Sequence, residues 1–153
     1  MKISVLGFSY SKKVRTILSI YSVLFLLGGC ASGAIYNEAM VSFPSLAASE
    51  GRIMLYRNTM MGAAVQPSVR INGEIVGKAK PKGFFYVDLP APGTYTISTQ
   101  TEAVKMTKIS IEPGQTKYVR LEMQMGVMVG RINPVEVANA IGSSEISKMK
   151  YAP

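Results

Sequence analysis

From residue 51 onward, apolar and polar positions alternate in short runs separated by turn-forming residues. Arg52-Ile53-Met54-Leu55-Tyr56-Arg57 is dense in branched and aromatic side chains and predicts a strand. A Gly/Ala/Met-rich loop, Thr59 to Gln66, leads into the alternating Ser68-Val69-Arg70-Ile71. Asn72-Gly73 then marks a two-residue hairpin, because both residues tolerate the positive φ of a type I′ turn. Glu74 to Lys78 returns as its partner strand. Phe84 to Leu89 predicts the next strand, stopped by Pro90-Ala91-Pro92-Gly93, and Thr94 to Thr99 another. In 102–111, Val104 and Met106 share one parity while Ile109 and Ile111 share the other, so a bulge near Thr107-Lys108 is expected. Glu112-Pro113-Gly114-Gln115 is a turn, and 116–125 is the longest regular run. There Val119, Leu121, Met123 and Met125 face the core, opposite Tyr118, Arg120, Glu122 and Gln124.

Strands at this spacing predict an all-β fold, a small antiparallel β-sandwich of about seven strands over 51–130. After Gly130 the pattern changes. The C-terminal segment, 131–153, is expected to hold a short helix from Val135 to Ile141, with Pro134 in its first turn and Gly142 as its stop. Val135, Val137 or Ile141 would pack it on the sandwich.

Upstream the grammar differs. Residues 1–15 are basic, ending in Lys12-Lys13-Val14-Arg15, and Thr16 to Leu27 is an apolar run of 12. A spanning helix needs about 20 apolar residues, whereas a signal-peptide core takes roughly 7–15. Leu27-Gly28-Gly29-Cys30 resembles the lipobox of bacterial lipoprotein signal peptides. That resemblance implies a signal peptide over 1–29, diacylglycerol on the Cys30 sulfur and cleavage before Cys30. In Gram-negative bacteria it also implies a further acyl chain on the new N-terminus. Ala31 stands where an Asp would imply retention in the inner membrane, so the resemblance points to the outer membrane, facing the periplasm. Residues 31–50 lack sustained periodicity and read as a tether whose Ile35, Tyr36, Met40, Val41, Phe43 and Leu46 could pack along the domain.

Turn chemistry carries a second resemblance. Val69-x-Ile71-Asn72-Gly73-x-x-x-Gly77, Pro92-Gly93-x-Tyr95-x-Ile97 and Pro113-Gly114 are similar to PEGA-like modules. Gly51–Leu121 behind a lipobox, with Gly51-Arg52-Ile53 and Gly62-Ala63-Ala64, more closely resembles a bacterial lipoprotein family known only as a domain of unknown function. Neither resemblance implies catalytic residues.

Composition narrows the chemistry. Histidine is absent and Cys30 is the sole cysteine, so Ser-His, Cys-His and H-E-x-x-H sites are excluded. Four of the 17 basic residues and none of the 9 acidic ones precede residue 30. That leaves 13 against 9, a net +4 for the remainder, so the basic character does not predict a nucleic-acid partner. Carboxylates remain, among them Glu74, Asp88, Glu102, Glu112, Glu122, Glu136 and Glu145, and a small carboxylate-dependent hydrolase is the enzymatic alternative. A non-enzyme with no cofactor and no metal is expected. Met123-Gln124-Met125-x-x-Met128 with Met60-Met61 suggests a Cu(I)-handling alternative, since thioethers select soft metals. Lys78-Ala79-Lys80-Pro81-Lys82, with Phe84 and Tyr86 nearby, is a candidate contact for an anionic envelope polymer or lipid. The apolar loop carrying Met60 and Met61 is a candidate contact for another envelope protein. The sequence thus predicts a membrane-anchored envelope lipoprotein whose non-catalytic sandwich does structural or binding work.

Overall fold

A computed structural model describes residues 33–153; the leader and Cys30 lie outside the described residues. Among the described residues nine strands follow the turn signals: β1 (Glu50–Tyr56), β2 (Ser68–Ile71), β3 (Glu74–Lys78), β4 (Gly83–Pro90), β5 (Gly93–Gln100), β6 (Val104–Ile111), β7 (Thr116–Gln124), β8 (Arg131–Val137) and β9 (Lys150–Tyr151). Two short helices among the described residues join them, α1 (Tyr36–Val41) and α2 (Asn139–Ile146). A five-stranded sheet ordered β8-β7-β1-β4-β9 faces a four-stranded sheet ordered β3-β2-β5-β6. The fold is an all-β sandwich. Its smaller sheet is antiparallel throughout, and the larger is mixed because β1 runs parallel to β7 and β4 parallel to β9. Among the described residues no helix is long and apolar enough to cross a membrane.

Alternation decides the two layers. Ile53 and Leu55 of β1, Ile71 of β2, Phe85 of β4, Ile97 of β5, Ile109 and Ile111 of β6 and Val119 and Leu121 of β7 fill the space between the sheets. The other parity of β1, Met54 and Tyr56, is also buried, beneath α1, α2 and the segment joining α1 to β1. A strand covered on both faces reads as a continuous apolar run, which is why β1 shows no clean period of two. Arg52 interrupts that run and is buried against Asp88, its cross-strand neighbour, by two parallel bonds of 2.6 and 2.7 Å. The same guanidinium donates to the Pro44 carbonyl at 2.9 Å and lies 4.4 Å from the Tyr86 ring centroid. Phe43 stacks on Tyr86 at 4.2 Å and meets Tyr151 at 5.2 Å, so residues 36–46 lie strapped across the outer face of the larger sheet.

Several expectations are corrected. Val135 to Ile141 is not one helix: residues through Val137 extend edge strand β8, and the helix begins at Asn139. Pro134 pairs opposite Leu121, where an edge position tolerates a missing N–H. Gly142 does not stop the helix but lies inside it, buried against Tyr118. Val137 packs on the outer cluster, whereas Ile141 is exposed. No bulge breaks β6, because its ladder with β5 runs unbroken from Gly93↔Ile111 to Gln100↔Val104. Val104 and Met106 are exposed on the outer face, and the register shift falls instead between Val69 and Arg70. Met123 packs on the core, but Met125 lies past the end of β7 and is solvent-exposed.

The close approach at Gly142 yields a prediction. A Cβ there would overlap the Cβ and Cγ of Tyr118. Gly142→Ala should therefore destabilise the fold by about 1–3 kcal/mol, although alanine gains roughly 1 kcal/mol of helix propensity over glycine. Urea denaturation measures the sign.

Candidate functional site

Odd-numbered strands β1, β3, β5 and β7 finish, and β2, β4, β6 and β8 begin, at one end of the sandwich, called here the apical end. Arg57, one residue past β1, organises it. Its side chain is wholly buried and has no carboxylate among its hydrogen-bond partners. Nη1 donates to the carbonyls of Val65 at 2.6 Å and Ala79 at 3.0 Å, and Nη2 to those of Gly62 at 2.9 Å and Met61. One planar fork thereby gathers the β1–β2 loop and the β3–β4 connection. The Arg57 N–H adds a bond to the Gly83 carbonyl at 3.0 Å. Burial pulls the guanidinium below its ordinary pKa, the cost of a cation met by dipoles alone.

Beside this loop lies a cleft of about 300 Å³ lined by Met61, Met123, Met125 and Met128 together with Gly62 and Gly130. Gly62 and Gly130 leave room for the Met123 thioether, which a Cβ at either position would strike. The outer wall is the β7–β8 connection, Met125 to Gly130, whose conformation depends on Glu102. That carboxylate accepts N–H bonds from Val127 at 2.8 Å, Met128 at 3.1 Å and Val129 at 3.4 Å, and a guanidinium bond from Arg131 at 2.7 Å. These donors hold the Glu102 carboxyl at a pKa of about 2. With its backbone turned inward to the carboxylate, the loop presents its side chains outward: Met125, Val127 and Met128 are 89%, 87% and 90% exposed.

The candidate lysines stand at the same end. Lys78 and Lys82 are exposed, with Lys82 at a φ of 54°, while Lys80 is half-buried and donates to the Pro153 carbonyl at 2.7 Å. Ala79 and Pro81 between them are buried. Phe84 is buried too, and Tyr86 is taken up by the Phe43–Tyr151 cluster, so neither reinforces a lysine contact at the surface as the sequence suggested. Arg57 therefore joins the two groups that sequence reading kept apart, Met60-Met61 and Lys78-Lys80-Lys82. Two participants have roles the sequence did not suggest, Arg57 and Glu102, the latter named only among carboxylates for a hydrolase. A charge closing an apolar strand, Tyr56-Arg57, was the one available signal for the first; the second is set 25 residues and more from the amides it holds.

On the outer face, Glu145 of α2 accepts from Tyr56 Oη at 2.6 Å, Asn58 at 3.2 Å and Arg120 at 3.1 Å, and Arg120 also pairs with Glu122 at 2.6 Å. Two carboxylates thus converge on one guanidinium. Glu145 is held below the usual carboxylate range by Tyr56 and Arg120 despite its burial. A general acid requires the opposite shift, so the cluster acts as a clamp docking α2 on β7. Among the described residues no group of His, Cys, Asp or Glu is arranged to hold a metal ion.

Two predictions test this end. Arg57→Met takes the guanidinium from four carbonyls, of which Gly62 keeps the Val65 N–H, and should cost about 3 kcal/mol in urea denaturation; Arg57→Lys should recover little, because an ammonium lacks the planar fork. For Glu102, the folded pKa lies below the unfolded value of about 4.3. Its hold on the loop is thus complete above that pH and lost as pH falls through about 2. Protection of the Val127, Met128 and Val129 amides against exchange, relative to their intrinsic rates, should fall over that window, and at neutral pH in Glu102→Gln.

Comparison with known proteins adds kinship without chemistry. An uncharacterized protein of Haemophilus influenzae is 28% identical over 148 residues, covering 94% of this chain and 88% of its own length. No solved structure matches. Residues 47–132, from the approach to β1 into β8, match the family described as "Protein of unknown function (DUF2846)". That span exceeds half the chain and includes Arg57, the methionine cleft, the lysine connection and Glu102: the chain belongs to the DUF2846 family.

Proposed function

We infer that this DUF2846 protein is a lipid-anchored envelope protein whose sandwich does non-catalytic binding or structural work. The observation that carries it is Leu27-Gly28-Gly29-Cys30 placed behind a basic segment and an apolar run of 12. Acyl chains on Cys30 would each contribute about 0.8 kcal/mol per buried CH₂, and two or more anchor stably. Ala31 favours the outer membrane, facing the periplasm. Five of the carboxylates are committed to ion pairs, Asp88, Glu102, Glu122, Glu136 and Glu145, which supports binding over hydrolysis. The partner would be another envelope protein or an anionic envelope polymer or lipid, met by the apical loops and lysines.

A second reading draws on the cleft. Met61, Met123, Met125 and Met128 line the cleft, and thioethers are soft donors suited to Cu(I). Cu(I) titration of the detergent-solubilised protein against a weak chelator decides it: competition that disappears in Met123→Leu supports the reading, and no competition sinks it.

For the anchor, Cys30→Ala should accumulate at precursor size and take up no radioactive palmitate. Mature-sized protein from that variant would refute the assignment.

A further inference from the structure

Charge and apolar exposure are segregated along the sandwich. At the apical end stand the exposed Lys78 and Lys82, joined by Lys148 and Lys150, which follow α2 and open β9 beside Gly83. At the opposite end stand Glu50 at the start of β1, Glu74 at the start of β3 and Glu112 after β6, with Glu136 paired to Lys117, while the acids near the apical end, Glu102, Glu122 and Glu145, are taken up by Arg131 and Arg120. Among the described residues, the apical end also carries a cluster of exposed apolar tips, Met60 and Met61 from one loop and Met125, Val127 and Met128 from another. Those side chains are not displaced core residues. Glu102 holds the backbone that presents them, and Arg57 fixes the loop beside them, so the exposure is built.

We propose that the apical end docks on an anionic phospholipid bilayer, with Met125, Val127 and Met128 entering the headgroup–acyl boundary and Lys78, Lys82, Lys148 and Lys150 contacting lipid phosphates. Flexible apolar side chains flanked by lysines match both layers of such a surface. The apolar loop and the lysines beside β9 sit near opposite edges of a five-stranded sheet, about 19 Å apart at 4.8 Å per strand, so a plane can engage both. The proposal builds on the reading of Cys30 as the anchor but stands on a separate surface.

The chain contains no tryptophan, so one introduced indole reports its own position. Met128→Trp serves as the apical probe and Glu112→Trp as the control at the opposite end. Each protein, isolated from its host membranes, is reconstituted into phosphatidylethanolamine–phosphatidylglycerol vesicles with brominated acyl chains. Docking predicts that the Met128→Trp indole shifts to the blue and is quenched, while the Glu112→Trp indole does neither. Changing the four lysines to Gln should lower the docked-to-undocked ratio by about fivefold per lysine, the equivalent of ~1 kcal/mol each at an anionic surface. An unquenched Met128→Trp indole on protein that floats with the vesicles overturns the proposal and leaves the anchor intact. A blue shift without quenching that grows with protein concentration overturns it in favour of a protein partner. If the protein carries no palmitate, the anchor reading fails, and quenching by added vesicles still decides docking either way.

Discussion

A buried cation facing only carbonyl oxygens is the constraint on which the apical architecture depends. The Arg57 guanidinium cannot give up its charge, and no carboxylate partners it. Removing it from water is costly, and the carbonyls of 61, 62, 65 and 79 close around its two Nη groups, while Nε is buried with no hydrogen-bond partner. The β1–β2 loop is otherwise poor in ordering signals, with Gly62 at a φ of 64° and two alanines after it. The cation substitutes for the core contacts that such a loop lacks. Because the fork reaches across to Ala79, it also sets where the lysine connection lies relative to the methionines.

A complementary arrangement works next door with the charges reversed. Glu102 gathers three amides and Arg131, folding an apolar segment that has no burial of its own to order it. Here polar interactions of the backbone force apolar side chains outward, the inverse of ordinary folding. Both devices fix loops at the same end, where strand termini converge. The Arg52–Asp88 pair does comparable work on the outer face, tying Pro44 and its neighbours to the sheet through hydrogen bonds and the Tyr86 ring.

Legibility followed the range of the interaction. Hairpins, strand limits and the Asn72-Gly73 turn, with φ of 49° and 92°, were readable because their causes lie within a few residues. Residues 131–146 were not. Val135 and Val137 suit a strand as well as a helix, and what draws them into β8 is an open edge on β7 that exists only once the sheet has formed. Gly142 was misread for the same reason: its missing side chain answers to Tyr118, 24 positions earlier, rather than to the helix end. Parity in β6 misled because an exposed Val104 and Met106 were taken for core. The lysine and methionine candidates were each visible as short motifs, but their shared end was not.

By itself the sequence determined the all-β class, most strand boundaries, the absence of histidine chemistry and the lipobox resemblance at Cys30, since each follows from residue type and local spacing. Tertiary structure decided the mixed five-stranded sheet, the burial of both faces of β1 and the assembly of an apical end that is basic and apolar together. The physical reason is that side-chain alternation specifies a face but not its partner. Long-range hydrogen bonds from Arg57 and Glu102, which no periodicity announces, choose which loops meet.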